Sequence, residues 1–230
     1  MKKQALASLL VLCGCLAACS QPAADSSASS SAPPSSSVAA SSSTPPAASS
    51  SSASTFSYNI TDVSFSEEVD WEDALYSDES YSFALPADWL LLGSGTQGTA
   101  EVYQFVAPNY QDTEFPSNVA VEVHGATHFF DSKEGLGERE TQESFFAYIE
   151  SVPISSTRTD ITYSVWEATD RFIYILEYTI AREDISAHQT AYYVIGFDAP
   201  VIVYATDFSD ASSPDVNEVA RHIALTFGVA

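Results

Sequence analysis

The placement of aromatic residues divides this chain before any motif is consulted. All 28 of them lie at or beyond Phe56. A folded core needs large apolar side chains in close contact, so only the stretch from Phe56 to Ala230 can build one, and its length suits a single domain. Residues 20–55 are the opposite case, with 17 Ser, 9 Ala, 5 Pro and 2 Thr, no aromatic residue and one charge, Asp25. A polar tract that cannot bury apolar area is expected to stay disordered. As a flexible chain it has an r.m.s. reach of roughly 30–36 Å.

Ahead of that tract, Lys2 and Lys3 form a basic start, and Ala5 to Leu16 is apolar or small throughout. This suits a secretory leader and is too short to span a bilayer. Leu16-Ala17-Ala18-Cys19 matches the lipobox of bacterial lipoproteins, in which the cysteine carries diacylglycerol and becomes the first mature residue; Leu12-Cys13-Gly14-Cys15 is a poorer match behind a shorter apolar run. The expected organisation is a signal peptide over 1–18, a lipidated Cys19 with a tether to residue 55, an acidic lead-in over 56–80 and a domain over 81–230. Cleavage before Cys19 removes Cys13 and Cys15. The domain then holds no disulfide, no thiolate nucleophile and no Cys-ligated metal. Each buried CH₂ of an attached lipid adds about 0.8 kcal/mol, so two or three chains hold the protein to a membrane.

The mature chain keeps six Lys or Arg against 31 Asp and Glu, a formal charge of −25. Phosphate backbones demand clustered cations, so nucleic acid is excluded as a partner class. Anionic lipid headgroups repel such a chain too. Lipid at Cys19 is therefore the expected membrane attachment.

Within the domain, Tyr81–Leu85 before Pro86, Trp89–Leu92 before Gly93, and Ala100–Val106 before Pro108 read as strands. Asn118–Thr127 alternates, with Val119, Val121 and Val123 on one face and Ala120, Glu122 and His124 on the other, which predicts one buried and one wet face. Thr141 is a candidate N-cap for a helix to Val152, with Phe145 and Ile149 at helical spacing. Four further strands are expected at Ile161–Ala168, Phe172–Ala181, Gln189–Phe197 and Val201–Thr206. Phe172, Tyr174, Leu176, Tyr178 and Ile180 share the face that a helix should cover. Ser213 as N-cap and Pro214 at the first helical position open a last helix, with Val216, Val219, Ala220, Ile223 and Phe227 on one stripe before Gly228. Tyr58–Ser80 holds eight acids around Phe65, Val69, Trp71 and Leu75, and suggests a strand and a helical turn. The expected fold class is α+β, a mainly antiparallel sheet with helices on one face.

The run Phe83-Ala84-Leu85-Pro86-Ala87-Asp88-Trp89, the Asn118-Val119-Ala120-Val121 strand, the 141–152 helix, the late meander and the final helix together resemble the PsbP-like family, which includes bacterial lipoproteins of the DcrB type. The resemblance covers about Tyr81 to Val229. It implies an αβ sandwich and a non-enzymatic accessory or assembly role, and carries no catalytic residue across.

Candidate chemistry is thin. Gly93-Ser94-Gly95-Thr96-Gln97-Gly98 has the spacing of a dinucleotide loop, but a strand follows it where a helix N-terminus would have to hold pyrophosphate, so a glycine-rich hairpin connection is expected. Glu122 and His124, with His128 and Asp131 downstream, can be drawn as a His/carboxylate zinc set, without the spacing of a known zinc motif. The acids from Asp62 to Glu79 lack a calcium-loop pattern. His188 and His222 have no G-x-S-x-G serine to serve. Trp166 alternates with Val165 on a strand, so one of the two rows should be less buried; this makes Trp166 the candidate ligand-binding aromatic. No cofactor is expected. The expected function is a lipoprotein on the extracytoplasmic face of the cell membrane, binding a protein, peptide or cell-wall component. The alternative is a metal-binding or metal-dependent hydrolytic protein using Glu122, His124 and His128.

Overall fold

The computed structural model describes residues 58–124, 135–152, 157–182, 185–196, 201–209 and 214–229. The leader, Cys19, the tether, His128, Asp131 and Ser213 lie outside the described residues. In chain order the elements are β1 (Ile60–Val63), β2 (Asp73–Ser77), β3 (Tyr81–Pro86), β4 (Leu90–Gln97), β5 (Ala100–Val106), β6 (Asn118–His124), α1 (Arg139–Ser151), β7 (Thr157–Glu167), β8 (Phe172–Arg182), β9 (Ile185–Ile195), β10 (Val201–Asp207), α2 (Val216–Thr226) and β11 (Gly228–Val229). The protein is mainly β-sheet with two helices among the described residues.

Eight strands form one sheet in the order β1-β7-β8-β9-β10-β6-β5-β4, and β11-β3-β2 form a second, smaller one. The large sheet is mixed: β1 runs parallel to β7, while the other pairs are antiparallel. The acidic lead-in is thereby part of the fold, since it supplies both β1 and β2, and β2 pairs with β3 from Asp73↔Pro86 to Ser77↔Ser82.

The helices do not share a face. Val216, Val219, Ala220 and Ile223 of α2 pack with Phe83 and Leu85 of the small sheet against Val119, Val121, Val203, Val194 and Ile173 of the large one. On the opposite face Phe145, Phe146 and Ile149 of α1 pack against Ala120, Tyr174, Leu176, Tyr193, Ile202 and Tyr204. The Tyr174 row is covered by a helix as expected, with Phe145 edge-on to the Tyr174 ring at 4.8 Å. The sheet needs cover on both sides because β9 and β10 are apolar on both. All six residues from Val201 to Thr206 are buried, the mark of a strand enclosed on two faces. A fully buried side chain of this size contributes about 1.5–3 kcal/mol.

Three boundaries differ from expectation. Helix α1 begins at Arg139 after an extended Glu138, whose carbonyl accepts from Gln142 N–H, so Thr141 lies inside the helix. Helix α2 is capped by Asp215, whose carboxylate accepts from Asn217 and Glu218 N–H, and Pro214 precedes the cap. The Gly93–Gln97 stretch is strand, part of β4; the reversal comes at Gly98 and Thr99, where Gly98 takes φ +63. That positive φ costs glycine little. Gly93 and Gly95 are simply small residues on an exposed strand.

Candidate functional site

The expected wet face of β6 is buried. Glu122 is 2% exposed and His124 9%, because β6 lies between β5 and β10 with both of its faces covered. Val102 and Ile202 flank Glu122 in register, and Ala100 flanks His124. The chain compensates by pairing the two, His124 Nε2 lying 3.3 Å from Glu122 Oε2. An ionised carboxylate in such surroundings needs a partner.

Further polar groups lie on the same face. Tyr178 donates to Gln189 Oε1 at 2.5 Å, and Gln189 Nε2 donates to Thr206 Oγ1 at 2.9 Å. Burial pushes the Tyr193 phenol well above its ordinary range, and the nearby Tyr178 and Glu122 act in the same direction. It stays protonated in neutral solution. This is a satisfied interior network, without an acid or base offered to solvent. Glu122 and His124 are brought together as the metal alternative requires, while His128 falls outside the described residues. No group of three His, Cys, Asp or Glu able to hold a metal occurs among the described residues.

Trp166 is also enclosed. Both Val165 and Trp166 are 3% exposed, so Trp166 is not the less buried of the two, although its row carries the exposed Thr162. The large sheet has cover on both faces at this position, and Phe65 of the lead-in meets the Trp166 ring edge-on at 5.4 Å. Beside it lies a cavity of about 10 Å³ lined by Ser66, Val69, Trp166, Glu218, Arg221 and His222 among others, room for one water and no sugar or peptide. His222, considered above as a hydrolytic base, is held by structure: its Nε2 is 3.0 Å from Asp73 Oδ2, and Trp71 Nε1 donates to Asp73 Oδ1 at 3.0 Å. The Arg221 guanidinium sits 4.6 Å over the Phe65 ring. These contacts fix the lead-in on α2, with Glu67, Glu68, Asp70 and Glu72 facing solvent.

One arrangement was not visible in the sequence. The Tyr103 hydroxyl lies 2.6 Å from Asp78 Oδ2 and 3.1 Å from Glu101 Oε2. A phenol has one proton to give, so two carboxylates converge on a single donor. Asp78 also accepts from Ser80 and Tyr81 N–H, each at 2.8 Å. Burial works to raise the Asp78 carboxyl, but the bonds from Tyr103, Ser80 and Tyr81 outweigh it and hold it below its ordinary value. Burial and both carboxylates drive the Tyr103 phenol the other way, far above its usual range. Asp78, in the turn between β2 and β3, and Glu101, on β5, stand 23 positions apart, and no spacing rule joins such a pair. The corner carries two negative charges beside β4, since Tyr103 lies opposite Ser94 and Glu101 opposite Thr96.

No protein-family model and no curated protein matches the chain. Among solved structures, it is similar to the solution structure of cyanobacterial PsbP (CyanoP) from Synechocystis sp. PCC 6803, at 16% identity and a TM-score of 0.45, over 73% of this chain and 98% of that one. It is also similar to a crystal structure from Bacteroides thetaiotaomicron VPI-5482, at 11% identity and a TM-score of 0.36, over 65% of this chain and 45% of that one. Neither likeness carries a residue, ligand or activity across to this chain.

Proposed function

We propose that the chain is a lipoprotein of the extracytoplasmic membrane face, whose domain is a non-enzymatic binding or accessory module for a protein, peptide or cell-envelope component. The observation that carries this is Leu16-Ala17-Ala18-Cys19 behind a basic, apolar leader and ahead of a tract with no core-forming residue. A leader of that kind directs export. Lipid on Cys19 supplies attachment without a cationic patch, which a mature charge of −25 does not offer. The tether gives the domain reach from the surface, and its candidate polar residues serve the interior instead of a cleft.

The test is metabolic labelling with an alkyne fatty acid, followed by detergent phase partition of the full-length chain. The wild type should carry label and enter the detergent phase, and Cys19→Ala should do neither. A Cys19→Ala protein that still matures and partitions with detergent would overturn the anchor. The second reading, a metal protein, is favoured by the 3.3 Å approach of His124 to Glu122. Metal analysis of the purified chain decides it, since one equivalent of zinc would put it first.

A further inference from the structure

Strand β4 closes one end of the large sheet, with β5 as its partner and no strand beyond it among the described residues. It is eight residues long, and six of them are exposed. A strand in that position turns about half of its N–H and C=O groups outward, a template for another strand. Proteins blunt such edges with charge, proline, bulges or very short strands. Here residues 89–100 hold no charged residue and no proline in a chain that is 17% charged, and the one irregularity is a bulge between Leu91 and Gly93. Leu90 and Leu91 are 45% and 44% exposed, and a Cβ built on Gly93 or Gly95 would meet nothing within 4 Å. The backbone at this edge is open to close approach.

The charge beside the edge selects the occupant. Ser94 and Thr96 are small, and they lie directly opposite Tyr103 and Glu101 on β5. Behind them Asp78 and Glu101 share the single Tyr103 proton. A strand added to β4 would lie about 4.8 Å from it, and a lysine or arginine on the Ser94/Thr96 face is long enough to cross that small-residue row toward the two carboxylates. Leu90 and Leu91 would meet apolar side chains at the other end of the same segment. A second copy of this acidic chain would bring like charges to that corner.

We propose that β4 binds an extended peptide segment by strand addition, with a lysine or arginine facing the Asp78–Glu101 corner and apolar residues at Leu90 and Leu91. This rests on the binding-module reading and names the surface and partner chemistry for it. Backbone bonds supply the pairing and the side-chain positions the selectivity, as in other strand-addition complexes.

The experiment measures fluorescence anisotropy of labelled eight-residue peptides against the full-length lipidated chain in nonionic detergent. The peptides alternate threonine and valine and carry two lysines near one end or the other; matched peptides carry two glutamates, and two further lysine peptides are N-methylated along one edge or the other. One lysine orientation should bind at least tenfold tighter than its glutamate match. One of the two N-methylated forms should lose binding at least tenfold. Glu101→Lys should invert the charge preference, and Thr96→Lys should weaken the lysine peptide at least fivefold with an unchanged circular dichroism spectrum. The proposal is overturned by binding of lysine and glutamate peptides within twofold of each other, by N-methylated forms that both bind like the parent, by no binding of any peptide, or by a β4-dependent homodimer that excludes them. Unlabelled Cys19 with peptide binding intact would remove the anchor and leave the edge. The converse would remove the edge and leave the anchor.

Discussion

The two ends of the large sheet are built on different terms. At one end β1 is four residues long and held from outside the sheet: Arg139 donates to the carbonyls of Ile60 and Tyr58 at 2.9 and 3.0 Å, and Tyr58 donates to Glu150 at 2.9 Å. Tyr163 of β7 donates to the other oxygen of Glu150. The ring of Tyr58 meets Tyr163 edge-on at 4.9 Å, and Phe146 lies beneath at 5.0 Å from Tyr163. Burial, reinforced by Glu150, raises the Tyr58 phenol to about 12. At the other end β4 has twice the length, and all of Leu90–Thr96 but Leu92 is exposed. The chain seals the end built from its first described residues and leaves the other end exposed.

The largest effect separating the two ends should come from Phe146→Ala, which removes a fully buried ring under the sealed end and costs about 3–5 kcal/mol. The same truncation at the open end, Leu91→Ala, should cost under about 1 kcal/mol because Leu91 already meets water. Urea midpoints of the two variants check both numbers, and equal losses would break the contrast. Next in size, Glu122→Ala leaves His124 buried without its partner in the middle of the sheet and should cost about 3–5 kcal/mol at most; Glu122→Gln, which keeps an acceptor, should cost less. Arg139→Ala removes two charge-assisted bonds, to the carbonyls of Tyr58 just before β1 and Ile60 at its start, and should cost about 1.5–3 kcal/mol, with faster amide exchange confined to β1 and its neighbour β7.

How much of this could be read beforehand depends on what each residue does. The meander from β7 to β10 and the stripe of α2 were legible because alternation and helical spacing are local properties. The opposite placement of the two helices was not, since it depends on which face of the sheet each crosses to; the continuous apolar run at Val201–Tyr204 was the one local hint. Glu122 and His124 misled because a polar residue at every second position looks the same whether it faces water or a buried partner. Trp166 misled for the related reason that Phe65, far away in sequence, supplies its cover. The parallel pairing of β1 left no trace in four residues. At β4, Leu90–Leu92 reads as strand in the sequence, while Gly93–Gln97 reads as a turn because glycines usually mark one.

The smallest effect concerns acid. The Asp78 carboxyl is held below its ordinary value in the folded state, so its contribution to stability is complete above the unfolded value of 3.8 and is lost as pH falls through the lower folded one. Asp78→Asn should therefore flatten the fall in stability between about pH 5 and about pH 2. Denaturation midpoints over that range give the answer, and an unchanged profile would mean that the corner beside β4 is not held as described.

Site-resolved amide hydrogen exchange on the full-length chain, with and without the lysine peptide, tests the open edge most directly. The account predicts that alternate amides of β4 from Leu90 to Thr96 exchange at nearly solvent rates in the free protein while those paired to β5 are protected, and that the peptide slows only the fast set and leaves β1 unchanged. Protection of every β4 amide in the free chain, or a peptide that slows β1 and leaves β4 unchanged, would contradict it.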